Sequence, residues 1–273
     1  MGTVVVASHV PLHEMAEVVE RAVSKALHEP GAFDVVGTGS DQAGTLGIDR
    51  AAERALLDYV KEHDVPVNVL SEEVGYIDRR KRSTLVVDPI DGSYNAAHGI
   101  PFYALCLAVG DRAFSDVMEA LVLNLVSGDE YLAVAGGGAT LNGAPIRTRP
   151  YREPDSLYCL YSGSTATGRA HHLTTIPRRV RSLGSAALEI CMVAQGSADM
   201  FFQDGVPLRI TDLAAPGLVL REAGGELFTS ECELLEMALS LEDRSEVLAV
   251  GDPGALEQLY SVAMEIRGGC PQG

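Results

Sequence analysis

An α+β layered fold is what this sequence predicts, with an antiparallel sheet in its first half and a mixed α/β arrangement in its second. Three observations carry that expectation. Two long segments with apolar residues at helical period open the chain, short apolar runs separated by charged or Gly-containing turns follow, and strand-like and helix-like segments then alternate to the end. At 273 residues, 47% of them apolar, the chain is long enough for two domains or one large layered unit.

From Pro11 to Leu27, Met15, Val18, Val19, Ala22, Val23 and Ala26 fall on one helical face, and Pro30-Gly31 stops the helix. Ile48, Ala51, Ala52, Ala55, Leu56 and Tyr59 repeat the pattern after a Gly-rich connection, so two helices are expected to pack side by side. The runs Val67-Leu70, Leu85-Val87, Tyr103-Val109, Val117-Leu123 and Tyr131-Val134 read as a meandering antiparallel sheet, with Gly136-Gly137-Gly138 and Asn142-Gly143 as hairpin turns. Residues 1–10 read as a short strand or arm.

A boundary between Pro150 and Asp155 divides the chain into residues 1–152, expected to bind metal and phosphate, and 153–273, expected to recognise substrate, the two packed into one globule. Beyond it come strands at Leu157-Tyr161 and near Val180, then helices from Ser185 to Gln195 and from Thr211 to Ala223. Strands at Glu226-Phe228 and Val247-Val250 and a closing helix from Pro253 to Ile266 complete the order.

No apolar run approaches a membrane span, no basic cleavable leader is recognisable, and the five cysteines form no C-x-x-C pair. The chain is therefore expected in the cytoplasm with reduced thiols and no membrane partner. A formal charge of −17 argues against nucleic acid, because phosphate backbones are bound mostly by Lys and Arg.

Chemistry concentrates in acidic positions that abut apolar segments, where an ionised carboxylate is costly without a cation nearby. Glu72 and Glu73 follow a strand, Asp88 and Asp91 flank Pro89-Ile90 at the end of another, and Asp212 sits in the first turn of an apolar helix. Pro89 lacks an N–H and breaks the ladder, which re-aims Asp88 and Asp91 toward a shared centre. Taken singly, each carboxylate also fits a helix cap or a turn; Asp212 alone would serve its own helix dipole. Together they form an oxygen-only donor set that favours Mg²⁺, with Mn²⁺ as a substitute. Two such ions about 3.5–4 Å apart clamp a phosphate ester for in-line hydrolysis. Gly92 and Ser93 suit the phosphate, and Ser93 and Asp49 suit the attacking water.

These residues resemble the signatures of the inositol monophosphatase superfamily of Mg²⁺-dependent, often lithium-sensitive phosphatases. The matching stretches are Ser71-Glu72-Glu73, then Asp88-Pro89-Ile90-Asp91-Gly92-Ser93-x-Asn95 with Pro101-Phe102, and Asp212-Leu213-Ala214-Ala215-Pro216-Gly217 followed by Glu222-Ala223-Gly224-Gly225. The resemblance implies a layered αβαβα sandwich of the sugar-phosphatase type, a homodimer, and a phosphoric monoester hydrolase acting on a small phosphate ester. It implies Glu72, Asp88 and the Ile90 carbonyl as ligands of a first metal, and Asp88, Asp91 and Asp212 as ligands of a second. It further implies Asp49 and Ser93 holding the nucleophilic water with Glu73 behind the ligands, and Gly184, Ser185 and Ala186 meeting the sugar or polyol beside Gly92 and Ser93.

Departures bear on substrate. Thr211 stands where many members have tryptophan, Gln203 lies where inositol-selective animal enzymes carry a glutamate, and the Gly37–Gly47 tract lacks a lysine common before the mobile metal-site loop. The short chain, the absent tryptophan and the Arg209-Ile210-Thr211-Asp212-Leu213-Ala214-Ala215 wording resemble archaeal members more, some of which act on both inositol monophosphate and fructose 1,6-bisphosphate. A 3′-phosphoadenosine 5′-phosphate phosphatase, a histidinol phosphatase and a non-catalytic metal-binding regulatory member are the alternatives. His171-His172 with Arg169, Arg178, Arg179 and Arg181 reads either as a basic rim for a second phosphate or as a solvated loop.

Overall fold

The computed structural model describes residues 10–39, 44–162 and 179–264. Nearly all of the expected N-terminal arm, part of the Gly37–Gly47 tract, and His171-His172 with Arg169 and Arg178 lie outside these residues.

Helices α1 (Leu12–Ala26) and α2 (Gly47–Glu62) flank a hairpin of β1 (Val35–Thr38) and β2 (Gly44–Leu46). The main sheet contains β3 (Val67–Ser71), β4 (Gly75–Ile77), β5 (Ser83–Asp91), β6 (Ala104–Gly110), β7 (Glu119–Asn124), β8 (Glu130–Val134), β9 (Gly138–Leu141) and β10 (Ala144–Pro145). Its order is β10-β9-β8-β7-β6-β5-β3-β4, and the short helix α3 (Ser93–Ala97) follows β5. A second sheet contains β11 (Leu157–Ser162), β12 (Arg179–Arg181), β13 (Met200–Asp204), β15 (Glu226–Thr229) and β17 (Val247–Val250) in the order β12-β11-β13-β17-β15, while β14 (Leu208–Arg209) pairs with β16 (Arg244–Ser245). Helices α4 (Ala186–Ala194), α5 (Ile210–Ala223) and α6 (Leu256–Met264) complete the second half.

Alternation within the strands stacks these elements. In β6, Leu105, Leu107 and Val109 face the core shared with α1 and α2, whereas Ala104, Cys106 and Ala108 face the core shared with α4 and α5. The second sheet repeats the device: Cys159, Phe201, Val247 and Ala249 join the α4/α5 core, and Tyr158, Met200, Phe202 and Leu248 turn to the outer layer with Leu259 of α6. The result is the αβαβα sandwich. At about 1.5–3 kcal/mol for each fully buried large side chain, these faces hold the layers together.

The main sheet departs from a pure antiparallel meander in one place, because β3 and β5 run parallel. The cause is β4, which folds back antiparallel on the outer edge of β3, so the chain must cross to the other side of β3 before β5 begins. Helix α5 approaches its neighbours closely at Gly217, where a Cβ would stand 2.5 Å from the Phe114 ring and 2.7 Å from Leu227. Only glycine lets this helix lie in the middle layer at that distance.

Candidate active site

The end of β5 is built around a bulge. Asp88 lies opposite Cys106 and Asp91 opposite Ala104, so three steps along β5 match two along β6. That extra residue, at a proline with no N–H to contribute, turns both aspartates toward the face that Ala104 and Cys106 present to α4 and α5. Ile90 N–H donates to Asp88 Oδ1 at 3.0 Å. Gly92 then adopts φ +91°, in the left-handed region, and a Cβ there would sit 3.1 Å from the Gly184 carbonyl oxygen.

Two helices bring further acids by the same local device. Asp49 in α2 accepts the Leu46 N–H at 3.1 Å, and Asp212 in α5 accepts the Arg209 N–H at 2.8 Å. Each carboxylate satisfies a free amide at its own helix start, so the capping reading of Asp212 coexists with its place in the cluster. Glu72 and Glu73 occupy the turn between β3 and β4. Thr211 Oγ1 donates to Glu72 Oε1 at 2.6 Å, Arg209 pairs with Glu72 Oε2, and Thr45 Oγ1 donates to Glu73.

Glu72, Asp88 and Asp212 thereby converge, each offering an oxygen within 4.8 Å of the others'. They come from three separate stretches of chain. A cavity of about 200 Å³ is lined by Gly44, Asp49, Glu72, Glu73, Asp88, Pro89, Ile90, Ser93 and Arg209. Burial, followed by repulsion from Glu72 and Asp91, pushes both Asp88 and Asp212 well above the usual carboxylate range. Burial likewise lifts Asp49 to about 7, with Glu73, Glu72 and Glu53 adding to it. At an effective dielectric of about 20, two such charges about 4 Å apart repel by roughly 4 kcal/mol, which a bound divalent cation reverses. An all-oxygen donor set with these proton affinities fits a hard metal ion.

Residues 9–266 match the inositol monophosphatase family. The chain belongs to this family. It is 34% identical over 252 residues to the fructose-1,6-bisphosphatase/inositol-1-monophosphatase of Methanothermobacter thermautotrophicus, covering 87% of this chain and 90% of that one. The Thermococcus kodakarensis protein of the same name is 35% identical over 258 residues, with 92% and 93% covered. Among solved structures, the MJ0109 gene product, an inositol monophosphatase–fructose 1,6 bisphosphatase, superposes with a TM-score of 0.80 at 29% identity over 92% of this chain and 97% of that one. As a member of the inositol monophosphatase family, the protein is a phosphoric monoester hydrolase.

Within this family member, Asp49, Glu72, Glu73, Asp88, Ile90 and Ser93 all line one cavity, whereas Asp91, Gly92 and Asp212 are not part of its wall. Asp91 differs. Its Oδ2 accepts the Ser185 hydroxyl and the Ala187 N–H, the latter at 2.8 Å, and the Ala186 N–H also points to this carboxylate. These bonds oppose its burial, which still lifts it to about 6.

The expected substrate contacts Gly184, Ser185 and Ala186 stand at the start of α4, where their polar groups already have partners within the protein. Ser185 is 0% exposed, and its hydroxyl serves Asp91 while accepting the Leu188 N–H at 3.3 Å. The Ala186 N–H is directed to Asp91, and the Leu183 and Gly184 N–H groups to the carboxylate of Glu189. Helix α4 thus spends its first amides on a protein carboxylate. Gln203 is also fully buried, with its amide nitrogen donating to the Val206 carbonyl, outside the cavity wall.

Sequence reasoning missed Arg209, Glu189 and Glu53 as parts of this neighbourhood. Arg209 lines the cavity as a cation beside Glu72. The available signals were the position of Arg209 three residues before Asp212 and the i,i+4 spacing of Asp49 and Glu53 on α2.

Proposed function

We propose that this protein hydrolyses phosphate monoesters of sugars and polyols, inositol 1-phosphate and fructose 1,6-bisphosphate foremost, with Mg²⁺ held by Glu72, Asp88, Asp91, Asp212 and the Ile90 carbonyl. The observation that carries this reading is the convergence of Glu72, Asp88 and Asp212 beside a polar cavity that Glu72 and Asp88 line together with Asp49 and Ser93. The names of the archaeal relatives support the substrate class.

When bound, the divalent ions supply Lewis acidity at the phosphoryl oxygens and lower the pKa of a coordinated water. The chain's own groups do the rest. Ser93 orients the attacking water through its hydroxyl, and Asp49, whose proton affinity is raised by burial and neighbouring acids, accepts its proton. Glu73, held by Thr45, backs the ligands. Gly92 allows the ester close to the backbone, and Arg209 supplies a positive charge to a wall that is otherwise acidic.

The same reading includes a homodimer in the cytoplasm. The buried free thiols Cys106, Cys159 and Cys191 support a reducing compartment. Sedimentation velocity giving a monomer would reject the dimer.

The test is phosphate release from inositol 1-phosphate, fructose 1,6-bisphosphate, 3′-phosphoadenosine 5′-phosphate and histidinol phosphate, with and without Mg²⁺. Mg²⁺-dependent release, fastest on the first two, is expected. No release from any of them, with Mg²⁺ binding intact, would favour the non-catalytic alternative.

A further inference from the structure

The turn that carries Glu72 is gripped at both ends by a carboxylate outside the cavity. Ser71 pairs with Gly75 in the β3/β4 hairpin, leaving Glu72, Glu73 and Val74 as the turn between them. Glu53 Oε1 accepts the Ser71 hydroxyl at 2.5 Å from one end and the Val74 N–H at 3.1 Å from the other. Glu53 is 6% exposed and is absent from the cavity wall, so it meets neither ester nor solvent to any extent. It lies four residues after Asp49, on the same face of α2. A single rigid helix therefore supplies an acid to the cavity and a clamp to the turn that faces it.

We infer that Glu53 is a positioning residue that fixes the aim of Glu72 by holding both ends of its turn, and so sets the affinity for the divalent cation without touching it. This rests on the reading of Glu72 as a metal ligand. Burying a carboxylate is expensive unless hydrogen bonds compensate, and here two donors from the same short turn do so. Released from Glu53, the turn keeps its β3/β4 pairing but loses the constraint on the three residues between. Glu72 then keeps its side-chain contacts with Thr211 and Arg209 but loses the fixed backbone beneath them, and outer contacts of this kind typically account for about 10–100-fold in metal affinity.

The clamp acts through an acceptor oxygen rather than through charge, and this separates the variants. In calorimetric titration of the full-length protein with Mg²⁺, E53Q, which keeps the acceptor, should stay within about two-fold of the parent. E53A should lose about 10-fold or more, and S71A, which removes one of the two donors, should fall between. In turnover assays, the Mg²⁺ concentration for half-maximal rate should rise in E53A, while the ester KM at saturating Mg²⁺ stays unchanged. A folded E53A that binds Mg²⁺ like the parent, or an E53Q that falls as far as E53A, overturns the clamp. Should E53A not fold, an S71A variant with parental affinity overturns it equally. D88N must lose Mg²⁺ binding if the carboxylate cluster is the site, which distinguishes failure of the clamp from failure of the metal reading.

Discussion

The hydroxyl of Ser185, at the start of α4, donates to Oδ2 of Asp91, at the end of β5, across 94 positions of sequence. The Ala187 N–H joins the same oxygen at 2.8 Å. One carboxylate thus takes the first amides of a helix from the second half of the chain, and the geometry of the site depends on how the two halves meet. Hydrogen bonds to a charged group are worth about 1.5–3 kcal/mol each, enough to hold Asp91 in one orientation despite its burial.

Replacement of Ser185 by alanine should therefore act on stability and on metal binding together. The loss combines a charge-assisted hydrogen bond with a helix cap, and denaturant titration should show about 2–4 kcal/mol of destabilisation. S185T should recover most of it. A variant with parental stability and only a raised KM would restore Ser185 to the role of a substrate contact.

Neutralising one member of the cluster should stabilise the metal-free protein while removing its response to metal. Asn at position 212 can still accept the Arg209 N–H, yet it removes a charge that Glu72 and Asp91 repel. D212N should gain on the order of 2–4 kcal/mol in EDTA, lose the stabilisation that Mg²⁺ confers on the parent, and turn over about 10²-fold more slowly or less. A drop in stability in EDTA would show that the carboxylate is compensated within the protein.

Glu189 makes a pH-dependent contribution with a definite sign. Burial pushes its carboxyl up to about 8, although the Leu183 and Gly184 N–H groups favour the ionised form. A folded value above the unfolded one means that the native state binds the extra proton. Stability is therefore full below about pH 4.5 and is lost as pH rises toward 8. Relative to E189Q, the parent should lose on the order of 3–5 kcal/mol across that window, read from urea midpoints at a series of pH values. Parallel curves for the two proteins would mean that Glu189 is ionised in the fold at no cost.

Arg209 should trade metal affinity against ester binding. Its guanidinium pairs with Glu72 and lines the cavity, so R209Q removes a cation that competes with a divalent ion for that carboxylate. Mg²⁺ should bind several-fold more tightly in calorimetry at low ionic strength, and the KM for the ester should rise. Weaker Mg²⁺ binding would instead make Arg209 an organiser of Glu72.

Much of the layering can be read along the chain because it depends on local periodicity. Helix α1 buries Met15, Val19, Val23 and Ala26 of the face its 3.6-residue pattern predicts, with Val18 and Ala22 half-buried at its margin, and β13 divides Phe201 from Met200 and Phe202 by simple alternation. The kink at Pro89 is legible for a covalent reason, since a residue without an N–H interrupts any ladder. The parallel pairing of β3 with β5 is different, because either strand direction suits the same apolar pattern. Glu53 and Glu189 escaped notice for a related reason: a buried acid on a helix looks like a solvated one until its donors are known.

Composition, apolar period and the carboxylate motifs determined the classes of element, the oxygen-only donor set and the family, since each depends on residue type and short-range spacing. Which atoms of that set are free was decided by tertiary structure alone. The amides of α4 reach Asp91, and Glu53 reaches the Glu72 turn, only because distant segments pack at fixed distances, and a hydrogen bond exists only where donor and acceptor meet within about 3 Å.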